Sequence, residues 1–264
     1  MGIGLLAGAL GIGGGILAIP VLVYLLGQDP HAATAESLVI IIVTSLAALP
    51  SRFKHKQVRL GIGLVFGLCS SLGAVLGTKL NLIVGGPIVM YAFACLILVV
   101  AGVMLKNALH ARAEENAALE RGTDLSVHEE QTTADDVQLS WRKLPLFLML
   151  GTALGVLVGF FGIGGGFAMI PVLVLMMKYS IRVASGTSFI VILVVSGVSL
   201  VSRLGSHVDI DWIIALLFAV GSGVGSAIGS PLSNKARAST LTFIFVALLL
   251  AVSVYTFIAT SLGW

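Results

Sequence analysis

Two glycine clusters, Gly11-Ile12-Gly13-Gly14-Gly15 and Gly162-Ile163-Gly164-Gly165-Gly166, stand 151 residues apart, and each is followed by an Ile-Pro-Val-Leu-Val run at residues 19–23 and 170–174. Positions 4–23 and 155–174 share 13 of 20 residues without a gap, so the chain is a tandem duplication. Consecutive glycines reach left-handed conformations that side chains forbid, and their N–H groups then point into one concavity. The apolar run after each cluster reads as a half-helix whose N-terminus adds free N–H donors and a partial positive charge. Gly13, Gly14 and Gly15 facing Gly164, Gly165 and Gly166 would suit a small anion, with Thr34, Ser37, Ser185, Thr187 and Ser188 as hydroxyl donors at the start of the next segments. Either cluster alone is better explained by close helix packing, with the hydroxyls bonded to carbonyls of their own helices. Duplication of the whole constellation turns the reading toward a ligand site.

Ionisable residues inside apolar sequence are the next candidates. Glu36 lies a few residues into such a segment, where a carboxylate is costly and functional by default, and it is a candidate for proton coupling. A nearby anion and desolvation would both disfavour its charged form, so protonation would accompany anion loading. The alternative is a carboxylate at a helix N-terminus. Arg52 and Arg203 occupy equivalent segment ends, and each would either steer an anion or anchor at the headgroups. Arg52, inside the cluster Arg52, Lys54, Lys56, Arg59, fits the anchor better. His31, His55 and His207 show no ligand spacing, so neither a metal site nor any cofactor is expected. Cys69 and Cys95 lie in apolar runs and read as small core residues. No Walker A lysine follows either cluster, and no nucleophile elbow or metalloprotease motif occurs, so neither ATP-driven transport nor an enzyme is indicated.

The elements that must position these residues are membrane helices. With 58% hydrophobic and 10% charged residues and a mean hydropathy of +1.08, apolar runs of spanning length dominate the chain. The formal charge of +3 reflects loop residues that set topology, and no nucleic-acid module is visible. The first apolar stretch has no basic n-region and contains the repeated cluster, so it reads as a retained segment and not a leader. Eight apolar segments, near 2–26, 34–50, 58–80, 85–106, 144–177, 184–203, 209–232 and 238–262, group as four plus four. The organisation is a first transmembrane repeat at 1–106, a hydrophilic acidic linker at 107–142, helical in part at 108–121, and a second repeat at 143–264. Eight of the twelve acidic residues fall in that linker.

The fold class is therefore an all-α polytopic membrane protein of two tandem four-segment repeats, each with a glycine-broken helix. If every segment crosses, ten Lys/Arg lie on one side against five; if the glycine segments dip and return, the count is thirteen against two, which favours inverted repeats. Irregular backbone at membrane depth survives only when buried in protein or lining a cavity, and paired interruptions point to a transporter's substrate site. At the same offset Ala33, Ser37, Ser45 and Arg52 match Ala184, Ser188, Ser196 and Arg203. The small-residue runs 73–77 and 225–229 read as helix-packing patterns.

Gly-Ile-Gly-Gly-Gly-x4-Pro in both halves, with Gly159-Phe-Phe-Gly-Ile-Gly-Gly-Gly166 and Ala184-Ser-Gly-Thr-Ser188 in the second, resembles the sulfite exporter TauE/SafE family of membrane permeases. The resemblance covers essentially the whole chain. It implies a secondary transporter of small sulfur-containing anions such as sulfite, sulfoacetate and other organosulfonates, moved with protons across a bacterial inner membrane. The family's motifs fall on Gly11 to Pro20, Gly162 to Pro171 and Gly186-Thr187-Ser188, whereas the first half has Ala35-Glu36-Ser37 in place of Gly-Thr-Ser. The halves are thus expected to divide labour. Partners are a small anion and membrane lipid, with a homo-oligomer left open; a carrier of another solute, a carboxylate or a metal ion, and a non-transporting scaffold remain as alternatives.

Overall fold

The computed structural model describes residues 14–120, 144–163, 169–170, 172–174, 179–205, 210–232 and 238–262. All regular structure among these residues is helical. We number the helices α1 (Gly15–Pro20), running into a π-helical turn at Val21–Leu25, then α2 (Pro30–Lys54), α3 (Leu60–Ile83), α4 (Gly86–Glu120), α5 (Leu144–Phe161), α6 (Ile181–Leu204), α7 (Trp212–Leu232) and α8 (Ala238–Ser261). Six of them are long and apolar enough to cross a membrane, at Pro30–Lys54, Leu60–Ile83, Gly86–Lys106, Val183–Leu204, Trp212–Pro231 and Phe243–Ser261. The long apolar segment 144–177 is interrupted, because α5 ends at Phe161. α4 continues without a break beyond residue 106 to Glu120, into the hydrophilic stretch.

Local sequence explains the helix starts. Asp29 caps α2 by accepting from His31 N (2.8 Å) and Ala32 N (3.4 Å), with Pro30 at the first helical position. Ser180 accepts from Val183 N at 3.4 Å and begins α6. The π turn follows Pro20, which has no N–H to give the regular helical bond, so the ladder widens there.

The helices are inside out by soluble standards. On α3 every fourth residue from Leu60 through Leu64, Leu68, Leu72 and Leu76 to Leu80 is exposed, while Gly63, Gly67, Ser70, Gly73, Ala74 and Gly77 are buried. Large apolar side chains outside and small ones inside suit lipid, which solvates leucine as well as a protein core does. For the same reason Cys95 lies on an exposed face and Cys69 is half-buried; both were expected in the core, but apolar surroundings do not separate core from lipid contact.

Close approach of α3 and α5 uses the glycines. A Cβ at Gly73, Gly77, Gly155 or Gly159 would run into the backbone of Thr152, Val156, Ser70 or Ala74 respectively. The packing reading of the 73–77 run therefore holds. α7 packs on α2 through Ser226 Oγ to Thr44 O (2.9 Å) and Ser230 Oγ to Ala48 O (3.3 Å), and α3 packs on α6 at Gly63 against Ile190 and Gly67 against Val194. α2 and α6, the matching helices of the two halves, lie side by side and antiparallel. Arg203 near the end of α6 bonds Thr34 near the start of α2, while Thr187 near the start of α6 accepts from Arg59 N just past the end of α2.

Candidate functional site

The second glycine break is built from carbonyls that α5 leaves without helical partners. Gly162 has φ +66°, a left-handed conformation, and its N–H closes on Val158 O at 2.8 Å. Three side chains from three other helices take the freed oxygens. Arg203 Nη2 donates to Gly159 O at 2.9 Å, Asn81 Nδ2 to Phe160 O at 2.7 Å, and Ser37 Oγ to Gly162 O at 2.6 Å. A guanidinium at a helix C-terminus also meets the negative end of the helix dipole. Gly162 itself sits against α2, since a Cβ there would strike the Thr34 carbonyl.

The described end of the first glycine cluster meets the second. Gly14, with φ 83° and ψ −15°, is the N-cap of α1, and no side chain caps it. A Cβ on Gly15 would stand 2.9 Å from Ile163 O and would overlap the Ile41 side chain. The two glycine segments are thus in contact, and both lie against α2, as the need to shelter irregular backbone requires. Gly13, Gly164, Gly165 and Gly166 lie outside the described residues.

Around this junction is a buried polar cluster. Thr34, Ser37, Asn81 and Arg203 are each 0% exposed. Arg203 Nη1 donates to Thr34 Oγ1 (2.9 Å) and to Asn81 Oδ1 (3.0 Å), Thr34 Oγ1 donates to His31 O (2.8 Å), and His31 Nδ1 lies 3.2 Å from Asn81 Oδ1. Arg203 Nε has no partner, and among the described residues no carboxylate pairs with the guanidinium. Asn81 and His31 are the residues that sequence reasoning missed here. Asn81 lies just past the end assigned to its segment, and nothing local marks it; its partners come from helices 79 and 122 residues away.

The remaining residues named from sequence fall elsewhere. Ser185, Thr187 and Ser188 are buried at the start of α6. There Ser188 Oγ donates to Ser185 O (2.8 Å), Thr187 Oγ1 accepts from Arg59 N (3.2 Å), and Gly186 faces the Gln57 carbonyl. Because α2 and α6 are antiparallel, this group and the Thr34–Ser37 group sit at opposite ends of the pair, on the order of 20 Å apart at the helical rise per residue. Arg52 is 1% exposed and donates from Nη1 to Gln57 Oε1 at 3.0 Å. It therefore does not anchor at the headgroups: burial against the α2–α3 connection withdraws it from them.

Glu36 is also 0% exposed but points away from the junction, about 200° round α2 from Thr34. Its Oε1 accepts from Asp211 N at 3.1 Å, and its Oε2 has no partner. Asp211 in turn caps α7, accepting at Oδ1 from Ile213 N (3.0 Å) and Ile214 N (3.1 Å).

Six membrane-length helices and a buried charge beside two touching glycine turns fit the class of membrane transporters. The family follows from comparison: residues 1–256 match the model of the sulfite exporter TauE/SafE family, and the chain belongs to that family. It is similar to a probable membrane transporter protein of Xylella fastidiosa, 30% identical over 259 residues, covering 96% of this chain and 90% of that one. A probable membrane transporter protein of Bacillus subtilis, YunE, is 28% identical over 253 residues, 92% of this chain and 90% of the relative. A third, from Methanocaldococcus jannaschii, is 24% identical over 247 residues, 88% of this chain and 83% of the relative. No solved structure matches the chain significantly.

Proposed function

We propose that the protein is a secondary transporter of small sulfur-containing anions such as sulfite or organosulfonates, moved with protons by alternating access across the bacterial inner membrane. The observation that carries this is the contact of Gly15 with Ile163 beside buried Arg203: two left-handed glycine turns, Gly14 and Gly162, next to a buried positive charge. A buried guanidinium whose described partners are all neutral favours an anion over a cation or a neutral solute. Antiparallel packing of the equivalent helices α2 and α6 supports inverted repeats, the architecture in which one half rocks against the other. The buried carboxylate of Glu36, with one oxygen unpartnered, supports a proton-coupling role, exercised through α7 and not by contact with the anion.

The test is flux of radiolabelled sulfite, sulfoacetate, acetate and phosphate in proteoliposomes, with and without a pH gradient. Saturable flux of the sulfur anions, driven by the gradient, is expected; no ligand-dependent flux identifies a scaffold instead. Glu36→Gln should keep substrate binding and lose the response to the gradient. A variant that concentrates substrate as the parent does would remove Glu36 from the coupling.

A further inference from the structure

We infer that Asn81 is the residue that keeps this site selective for anions, because its neutral amide fixes Arg203 without cancelling the guanidinium charge. The inference rests on the anion-transport reading above and names the charge that meets the substrate. Every described hydrogen-bond partner of Arg203 is a neutral oxygen: a threonine hydroxyl, an asparagine amide and the Gly159 carbonyl. The C-terminal end of α5 offsets only about half a unit charge. A buried guanidinium is ordinarily paired with a carboxylate, which is the shorter and stronger bond. An aspartate at position 81 would be nearly isosteric with Asn81 and would supply that pair.

The geometry shows why the amide stands there. Asn81 Oδ1 accepts from Arg203 at 3.0 Å while its Nδ2 donates to Phe160 O at 2.7 Å, and a carboxylate has no hydrogen for the second contact. The same side chain therefore holds the carbonyl just before Gly162 and orients the arginine, leaving a net positive charge and the unpartnered Nε–H for an incoming anion. Asn81 is a positioning residue: it acts through Arg203.

The experiment is equilibrium binding of radiolabelled sulfite to the purified full-length protein in chloride-free buffer, with melting temperature measured alongside. Asn81→Asp should weaken sulfite binding by about tenfold or more, as expected when a buried charge is neutralised by a new partner. The melting temperature should fall modestly, because the carboxylate cannot donate to Phe160 O, and the loss of sulfite affinity in folded protein is what reports the charge. A structural role alone would lower the melting temperature and leave Kd in place. His31→Asp, measured in parallel, brings a carboxylate into the same cluster at the cost of the His31–Asn81 contact, and should weaken binding several-fold. An Asn81→Asp protein that binds sulfite as tightly as the parent overturns the inference; if that variant does not fold, an unchanged Kd in His31→Asp does so. A parent that binds none of the anions overturns the transport reading, and this inference with it, and is told apart by the parent alone.

Discussion

Where α3 meets α5, glycine matters only for the side chain it lacks; at Gly14 and Gly162 it matters also for the backbone conformation it permits. Gly155 and Gly159 lie in regular helix and would bring a Cβ onto the backbone of Ser70 and Ala74, whereas Gly14 and Gly162 hold φ of 83° and 66°. The first surface is a packing device spread over several turns. The second is two local conformations that bring polar backbone to one place. One residue type, repeated through one apolar sequence, thus serves stability in one region and a site in the other, and substitution should separate the two.

The largest effect belongs to the packing surface. Gly155→Val must push α3 and α5 apart, because what it meets is the main chain at Ser70 and Ala74 and not a side chain that can turn. Overpacking of this kind costs about 1–3 kcal/mol or more, and we expect little monodisperse protein by size-exclusion chromatography. Gly162→Ala comes next. A left-handed alanine costs roughly 1 kcal/mol or more, and its Cβ would run into the carbonyl of Thr34, the main chain of one residue where Gly155 meets that of two. Protein should still reach the membrane, with a clearly lowered melting temperature and flux abolished; Gly14→Val should behave alike. Normal flux in both variants would reduce the breaks to packing elements.

Smaller changes sharpen the contrast. Ser37→Ala removes the 2.6 Å bond to Gly162 O, a loss of about 1 kcal/mol, and flux should fall while the fold persists. Gly102→Ala is the control. It lies in α4 with nothing within 4 Å of a new Cβ, so melting temperature and flux should match the parent.

The unusual backbone at Gly14 and Gly162 was legible in sequence, because glycine adopts positive φ far more readily than other residues. The role of the 73–77 run was legible too, from small-residue spacing, whereas of eight apolar segments six are helices of membrane-spanning length among the described residues. Burial was not legible. Arg52 looked like a headgroup anchor within a basic cluster, yet it is 1% exposed, and Cys95 looked like core and faces outward. In a membrane protein, lipid and core are both apolar, so residue type no longer tells inside from outside. Glu36 and Thr34, two residues apart, also looked like one site; a helix turns them to different neighbours, α7 and α6.

The sequence by itself determined the membrane class and the glycines of left-handed backbone at Gly14 and Gly162, since these depend on composition and on backbone freedom carried by single residues. Tertiary structure alone decided which groups meet. Arg203 finds Thr34 169 residues away and Asn81 122 residues away because antiparallel α2 and α6, with α3 alongside, bring helix ends together. Such contacts follow from helix packing over whole segments, and no local pattern at Asn81 or Arg203 encodes them.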